Sequence, residues 1–127
     1  VAYLDREDPS HALVVEGLAE FAGQLATTNA VISEAMYFLS ESAGGARLLA
    51  DFVATSGTAV YDCCQAPALR DAALLMERYA DTPMDFADAT LVLLAGDLGV
   101  ADLATLDRRG FLTYRFSGKK AFRLVLD

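Results

Sequence analysis

Three acidic side chains, Glu34, Asp88 and Asp107, stand where carboxylate chemistry is possible. Around Glu34, helical spacing makes Val31, Ile32, Ala35, Met36, Phe38 and Leu39 a buried arc that the glutamate borders. Asp88 shares a helix face with Leu91, Val92 and Ala95, in a segment apolar nearly all round. Burying an uncompensated carboxylate there is costly, although a first-turn position lets the helix dipole favour the anion. Asp107 ends an expected strand, Leu103–Leu106, and is expected at the same rim. Each acid also has an ordinary structural role open to it. Glu34 could be a rim residue, Asp88 could complete a capping arrangement with Asp85, and Asp107 could cap the turn at Arg108-Arg109-Gly110. Convergence of the three is expected to make them repel unless a cation joins them. Oxygen ligands select Mg²⁺ or Mn²⁺, which polarises a phosphoryl oxygen and activates a water. Thr28, Asn29 and Thr105 flank the acids and could hold metal-bound waters or simply cap. His11, the one histidine, lies on a different element and suits the start of a helix better than a base.

The elements that must carry these groups alternate. Asp8-Pro9-Ser10 is a turn, and Leu13, Val14, Leu18 and Phe21 recur at helical spacing from His11 to about Ala22, where Gly23 stops the helix. Leu25–Thr28 is β-compatible, and Asn29 is expected to cap a helix running to about Ser42. After Gly44-Gly45 a helix covers 46–55 and Thr58–Asp62 reads as a strand. Pro67 suits the first turn of a helix to about Tyr79. Thr82-Pro83-Met84 turns the chain, and Asp85 caps a long apolar helix ending at Gly99. Beyond the strand at 103–106, short strands are expected near 113–116 and 121–125. Strands alternating with helices predict an α/β fold, three-layered, with a central mostly parallel sheet flanked by helices. Strand ends in such sheets are where sites form.

The 127 residues suit one domain. An apolar fraction of 54% supports a real core. The formal charge of −8 argues at first against nucleic acid and anionic membranes. That charge is uneven. Residues 1–107 hold 17 acids and 4 bases, whereas 108–127 hold 6 bases (Arg108, Arg109, Arg115, Lys119, Lys120, Arg123) and one acid. A basic tail binds anions locally, because exposed charges are screened beyond about 8 Å. Alternatively, it pairs with surface acids. No apolar run reaches the ~18 residues of a membrane span, and no basic, apolar leader opens the chain. Neighbouring Cys63 and Cys64 cannot staple a long loop, which points to a reducing, cytoplasmic setting.

The segments Thr28-Asn29-Ala30-Val31-Ile32-Ser33-Glu34-Ala35, Asp85-Phe86-Ala87-Asp88-Ala89 and Thr105-Leu106-Asp107-Arg108-Arg109-Gly110-Phe111 occur in this order. With the opening Val1–Asp5 and the turn at Asp8–His11, the chain resembles the PIN-domain family, and within it the VapC-type ribonuclease toxins. That resemblance implies a PIN-like fold over residues 1–127 and a divalent-metal-dependent endoribonuclease, commonly with a cognate antitoxin. It assigns Glu34, Asp88 and Asp107 to the metal site and, with less weight, matches Asp85 to a polar position beside it. The family's first catalytic aspartate ends a central strand, which on this reading would precede Val1. Many relatives carry a further acid where Arg109-Gly110 stands. The expected activity is hydrolysis of RNA phosphodiester bonds, with Arg108, Arg109, Arg115, Lys119 and Lys120 gripping the backbone. The alternative is a non-catalytic PIN-like module that binds RNA or protein. Met36, Tyr37 and Phe38 on one helix suggest a homodimer patch, or else ordinary core packing.

Overall fold

The computed structural model describes residues 24–105, 108–117 and 119–124. The expected opening segment, the turn at Asp8-Pro9-Ser10, the helix from His11 to Ala22, its Gly23 stop, Leu106, Asp107 and Val125 lie outside the described residues. Strand β1 (Ala26–Thr28) leads into helix α1 (Asn29–Leu39), followed by α2 (Gly45–Ser56) and β2 (Ala59–Tyr61). Helices α3 (Ala66–Arg78) and α4 (Phe86–Leu98) precede β3 (Asp102–Leu103) and the short α5 (Arg108–Thr113). Strands β4 (Arg115–Phe116), β5 (Lys120–Ala121) and β6 (Arg123–Leu124) end the described chain.

The expected parallel pairing is present. β1 lies parallel to β2, with Ala26 opposite Ala59 and Thr28 opposite Tyr61. β3 lies parallel to β6, with Leu103 opposite Leu124, whereas β4 and β5 pair antiparallel. Across the β3–β6 pair, the Arg123 guanidinium forks onto both Asp102 carboxylate oxygens at 2.6 and 2.7 Å. Between β1 and β3 lies a cavity of about 480 Å³, lined by Leu25, Ala26, Leu94, Leu98, Leu103 and Phe122, among others. Mixed helices and parallel strands make this an α/β fold.

Local signals account for most boundaries. α4 is apolar nearly all round because it is central: Ala87, Ala89, Thr90, Val92, Leu94 and Ala95 are all buried. It packs against α3, α1, β1 and β4. Its end is set by Gly99 at φ +64°, a left-handed cap that glycine adopts without strain. Gly45 has a different reason to be glycine, since a Cβ there would collide with the Leu39 carbonyl. α1 and α2 thus turn back on each other at close range.

Several expectations are corrected. Thr28, not Asn29, caps α1, because its hydroxyl accepts the Val31 N–H. The helix ends at Leu39 rather than Ser42, since Gly44 at φ +73° starts α2 immediately afterwards. Phe38 is not in the buried arc: it is 53% exposed and stacks edge-on with the exposed Tyr37. The expected turn at Arg108-Arg109-Gly110 is instead the first half of α5. Burial of Phe111 in an aromatic cluster favours that turn of helix over the glycine's preference for a loop. The expected last strand is divided into β5 and β6 around the buried Phe122.

That cluster is the heart of the core. Phe122 meets Phe111 edge-on at 5.5 Å and lies tilted against Phe116 at 5.0 Å. Phe122→Ala should destabilise the domain by about 3–5 kcal/mol, read as a lower urea midpoint. An unchanged midpoint would show that the cluster contributes little.

Candidate functional site

The site begins at two threonines. Thr28 closes β1 and Thr90 lies one turn inside α4; both side chains are fully buried, with their hydroxyl oxygens 2.8 Å apart. Thr90 donates its own hydrogen to the Ala87 carbonyl at 2.7 Å. The hydrogen between the two hydroxyls therefore comes from Thr28, whose oxygen also accepts the Val31 N–H at 3.3 Å. This chain of bonds ties the start of α1 to the first turn of α4.

Fixing those two helices brings acids together. Asp85 caps α4 by accepting the Asp88 N–H at 2.8 Å, while Asp88 reaches back to the Asp85 N–H at 3.2 Å. This is the capping box that the Asp85-to-Asp88 spacing allows. Glu34, from α1, meets the same group. Its carboxyl is held above the usual carboxylate range by partial burial first, then by the charge of Asp85, then by a hydrogen bond to Asp85. Glu34 and Asp85, from separate elements, thus come within bonding reach of each other, while Asp88 is tied to the Asp85 backbone.

The remaining expected residues fall in different places. Among the described residues no three acidic, cysteine or histidine side chains are grouped to hold a metal ion. Asp107 and His11 lie outside the described residues. Asn29 does not cap; its amide clasps the loop after β2, donating to Asp62 at 3.0 Å and accepting the Cys63 N–H at 3.0 Å. Thr105 is half-buried, two residues beyond β3. Arg108 and Arg109 open α5. Arg115 folds back on the end of α5, with one guanidinium nitrogen donating to the carbonyls of Leu112, Thr113 and Tyr114 at 2.9 to 3.1 Å. Lys119 and Lys120 are exposed at the β4–β5 turn.

Asp62 is the rim acid that the sequence reading passed over. Its carboxyl is held below the usual range by the Gln65 amide, the Cys64 N–H and the Asn29 amide, outweighing an opposing effect of burial. The signal was there, since Asp62 ends the expected Thr58–Asp62 strand. Its role here is to fasten the β2–α3 loop to the start of α1.

If the threonine bond sets the α1–α4 register, the two hydroxyls should act as a unit. Thr90→Val strands a buried donor on Thr28 and should cost about 1–3 kcal/mol. A double-mutant cycle with Thr28→Val should return a coupling of roughly 1 kcal/mol by chemical denaturation. Strict additivity would show the hydroxyls to be independent.

No family model matches the chain. A curated relative does: Ribonuclease VapC26 of Mycobacterium tuberculosis (strain ATCC 25618 / H37Rv) is 31% identical over 126 residues, 98% of this chain and 93% of that protein. The similarity spans nearly the whole of both proteins, so the chain belongs to the VapC-like family of PIN-domain proteins.

Proposed function

We propose that this chain is a divalent-metal-dependent endoribonuclease that hydrolyses RNA phosphodiester bonds as the toxin of a type II toxin–antitoxin pair. The observation that carries the reading is the contact of Glu34 with Asp85, with Asp88 alongside, in a chain 31% identical to a ribonuclease. Like-charged carboxylates from different helices are held together by the fold, and a hard cation is the partner that relieves such crowding. The donor set is all oxygen, which suits Mg²⁺ or Mn²⁺ and not a thiophilic metal. Glu34, Asp85 and Asp88, with Asp107, would hold the ion. When bound, it supplies Lewis acidity, lowering the pKa of a water and offsetting charge on the phosphoryl oxygens.

The chain's own residues do the rest. Thr28 and Thr90 keep Glu34 opposite Asp85. The capping box restrains Asp85 and Asp88, so neither carboxylate needs to reorganise. Lys119 and Lys120, with Arg108 and Arg109, would draw in the RNA backbone against the overall negative charge. Arg115 is occupied with carbonyls and would contribute less. The exposed Tyr37 and Phe38 offer a patch for a homodimer. Among the described residues no helix is long and apolar enough to cross a membrane. A cytoplasmic setting belongs to the same reading, as does a cognate antitoxin partner.

A non-catalytic binding module is the second reading. It is favoured by the way Asp85 and Asp88 satisfy each other as a cap, with no three-acid group among the described residues. Asp88→Asn separates the two, because the amide oxygen can still accept the Asp85 N–H. The substitution should abolish Mg²⁺- or Mn²⁺-dependent RNA cleavage while leaving the circular dichroism spectrum unchanged. Cleavage at the unsubstituted rate in a clean preparation would overturn the nuclease reading. For RNA binding, Lys119→Ala combined with Lys120→Ala should flatten the plot of log affinity against log salt by about 1.4, for two phosphate contacts on a single strand. An unaltered slope would place the RNA elsewhere.

A further inference from the structure

The stretch joining α3 to α4, residues 79–85, has no regular secondary structure, yet it delivers the Asp85 cap. One side chain holds it from outside. Tyr114, fully buried, donates its hydroxyl hydrogen to the Pro83 carbonyl at 2.5 Å. Pro83 has no N–H, so its carbonyl is the one backbone group by which it can be held, two residues before Asp85. The Tyr114 ring is itself fixed, edge-on to Tyr79 at 5.0 Å and to Phe111 at 5.1 Å. Tyr79, at the other end of the stretch, accepts the Arg115 N–H at 3.1 Å. Tyr114 also follows directly on α5, the helix that Arg108 and Arg109 open. A single phenol therefore spans from the segment after α5 to the segment before α4.

We infer that Tyr114 is a positioning residue of this site: through the Pro83 carbonyl, its hydroxyl sets where Asp85 and Asp88 stand relative to Glu34 and to α5. Its catalytic consequence rests on the ribonuclease reading; its structural consequence does not. The capping box restrains Asp85 and Asp88 against each other, but nothing in that box fixes the pair as a whole. The threonine bond fixes α4 against α1 further along the helix, and the approach of the chain to Asp85, which Tyr114 restrains, sets its first turn. Small displacements matter here, because a hard divalent ion tolerates little error in ligand geometry.

Tyr114→Phe keeps the ring and its edge contacts but removes the bond. In the metal-free protein, hydrogen exchange of the Asp88 amide, which donates to Asp85, should quicken by about fivefold to tenfold, while the Val92 amide in mid-α4 is unchanged. The Mn²⁺ concentration giving half-maximal RNA cleavage should rise about tenfold, with KM for RNA unaltered. Tyr79→Phe serves as the control. It removes the acceptor for the Arg115 N–H, leaves Pro83 untouched, and should change neither readout. Unchanged Asp88 exchange in Tyr114→Phe, or equal quickening in Tyr79→Phe, would overturn the assignment. If the unsubstituted protein cleaves no RNA with Mn²⁺, the ribonuclease reading falls, and the exchange comparison still decides the role of Tyr114.

Discussion

The arrangement depends on one buried hydrogen bond between two threonines. Helix α4 is apolar on almost every side, and apolar packing alone permits some rotation and sliding of neighbours. A hydroxyl pair in that setting permits neither, because either oxygen left unmatched costs more than the bond itself contributes. Thr28 and Thr90 thus convert a greasy contact into a fixed register between α1 and α4. Glu34 faces Asp85 as a consequence. Without that register Glu34 would stand apart from Asp85 and Asp88 on a separate helix.

The site is restrained from a second direction by its loops. Asn29 and Asp62 bind the β2–α3 loop to the start of α1, and Tyr114 binds the α3–α4 stretch from the far side of the core. Both are polar tethers placed where regular structure gives out. The same economy explains the basic tail. Arg123 is committed to Asp102 across two strands, and Arg115 to three carbonyls, which leaves Lys119 and Lys120 exposed. The positive charge counted along the tail is therefore not all available to a polyanion.

For Asp85 and Asp88, the structural role does not compete with the chemical one proposed. Their reciprocal bonds are an ordinary helix start. They also hold two carboxylates at the positive end of a helix dipole, where an anion is favoured. A cap is a sensible place for a ligand, since the side chain's orientation is already determined by the backbone it satisfies.

Local chemistry was legible along the chain. Asp85 and Gly99 bracket α4 as their types require, Pro67 lies in the first turn of α3, and the alternation of strands and helices foretold parallel pairing. The ordered motifs around Glu34, Asp88 and Asp107 pointed to the family. Where neighbours in space outvote neighbours in sequence, reading fails. Asn29 and Thr28 are both good caps, and only the presence of Thr90 makes Thr28 the one that is buried and bonded. Gly110 suggests a turn until Phe111 finds an aromatic cluster to enter. Phe38 looks like core because a helical wheel cannot tell which arc has a partner. Short-range propensity determined which elements form and which acids cap them. Long-range packing decided which faces are covered, which cations are free and which carboxylates meet, because those depend on residues tens of positions apart.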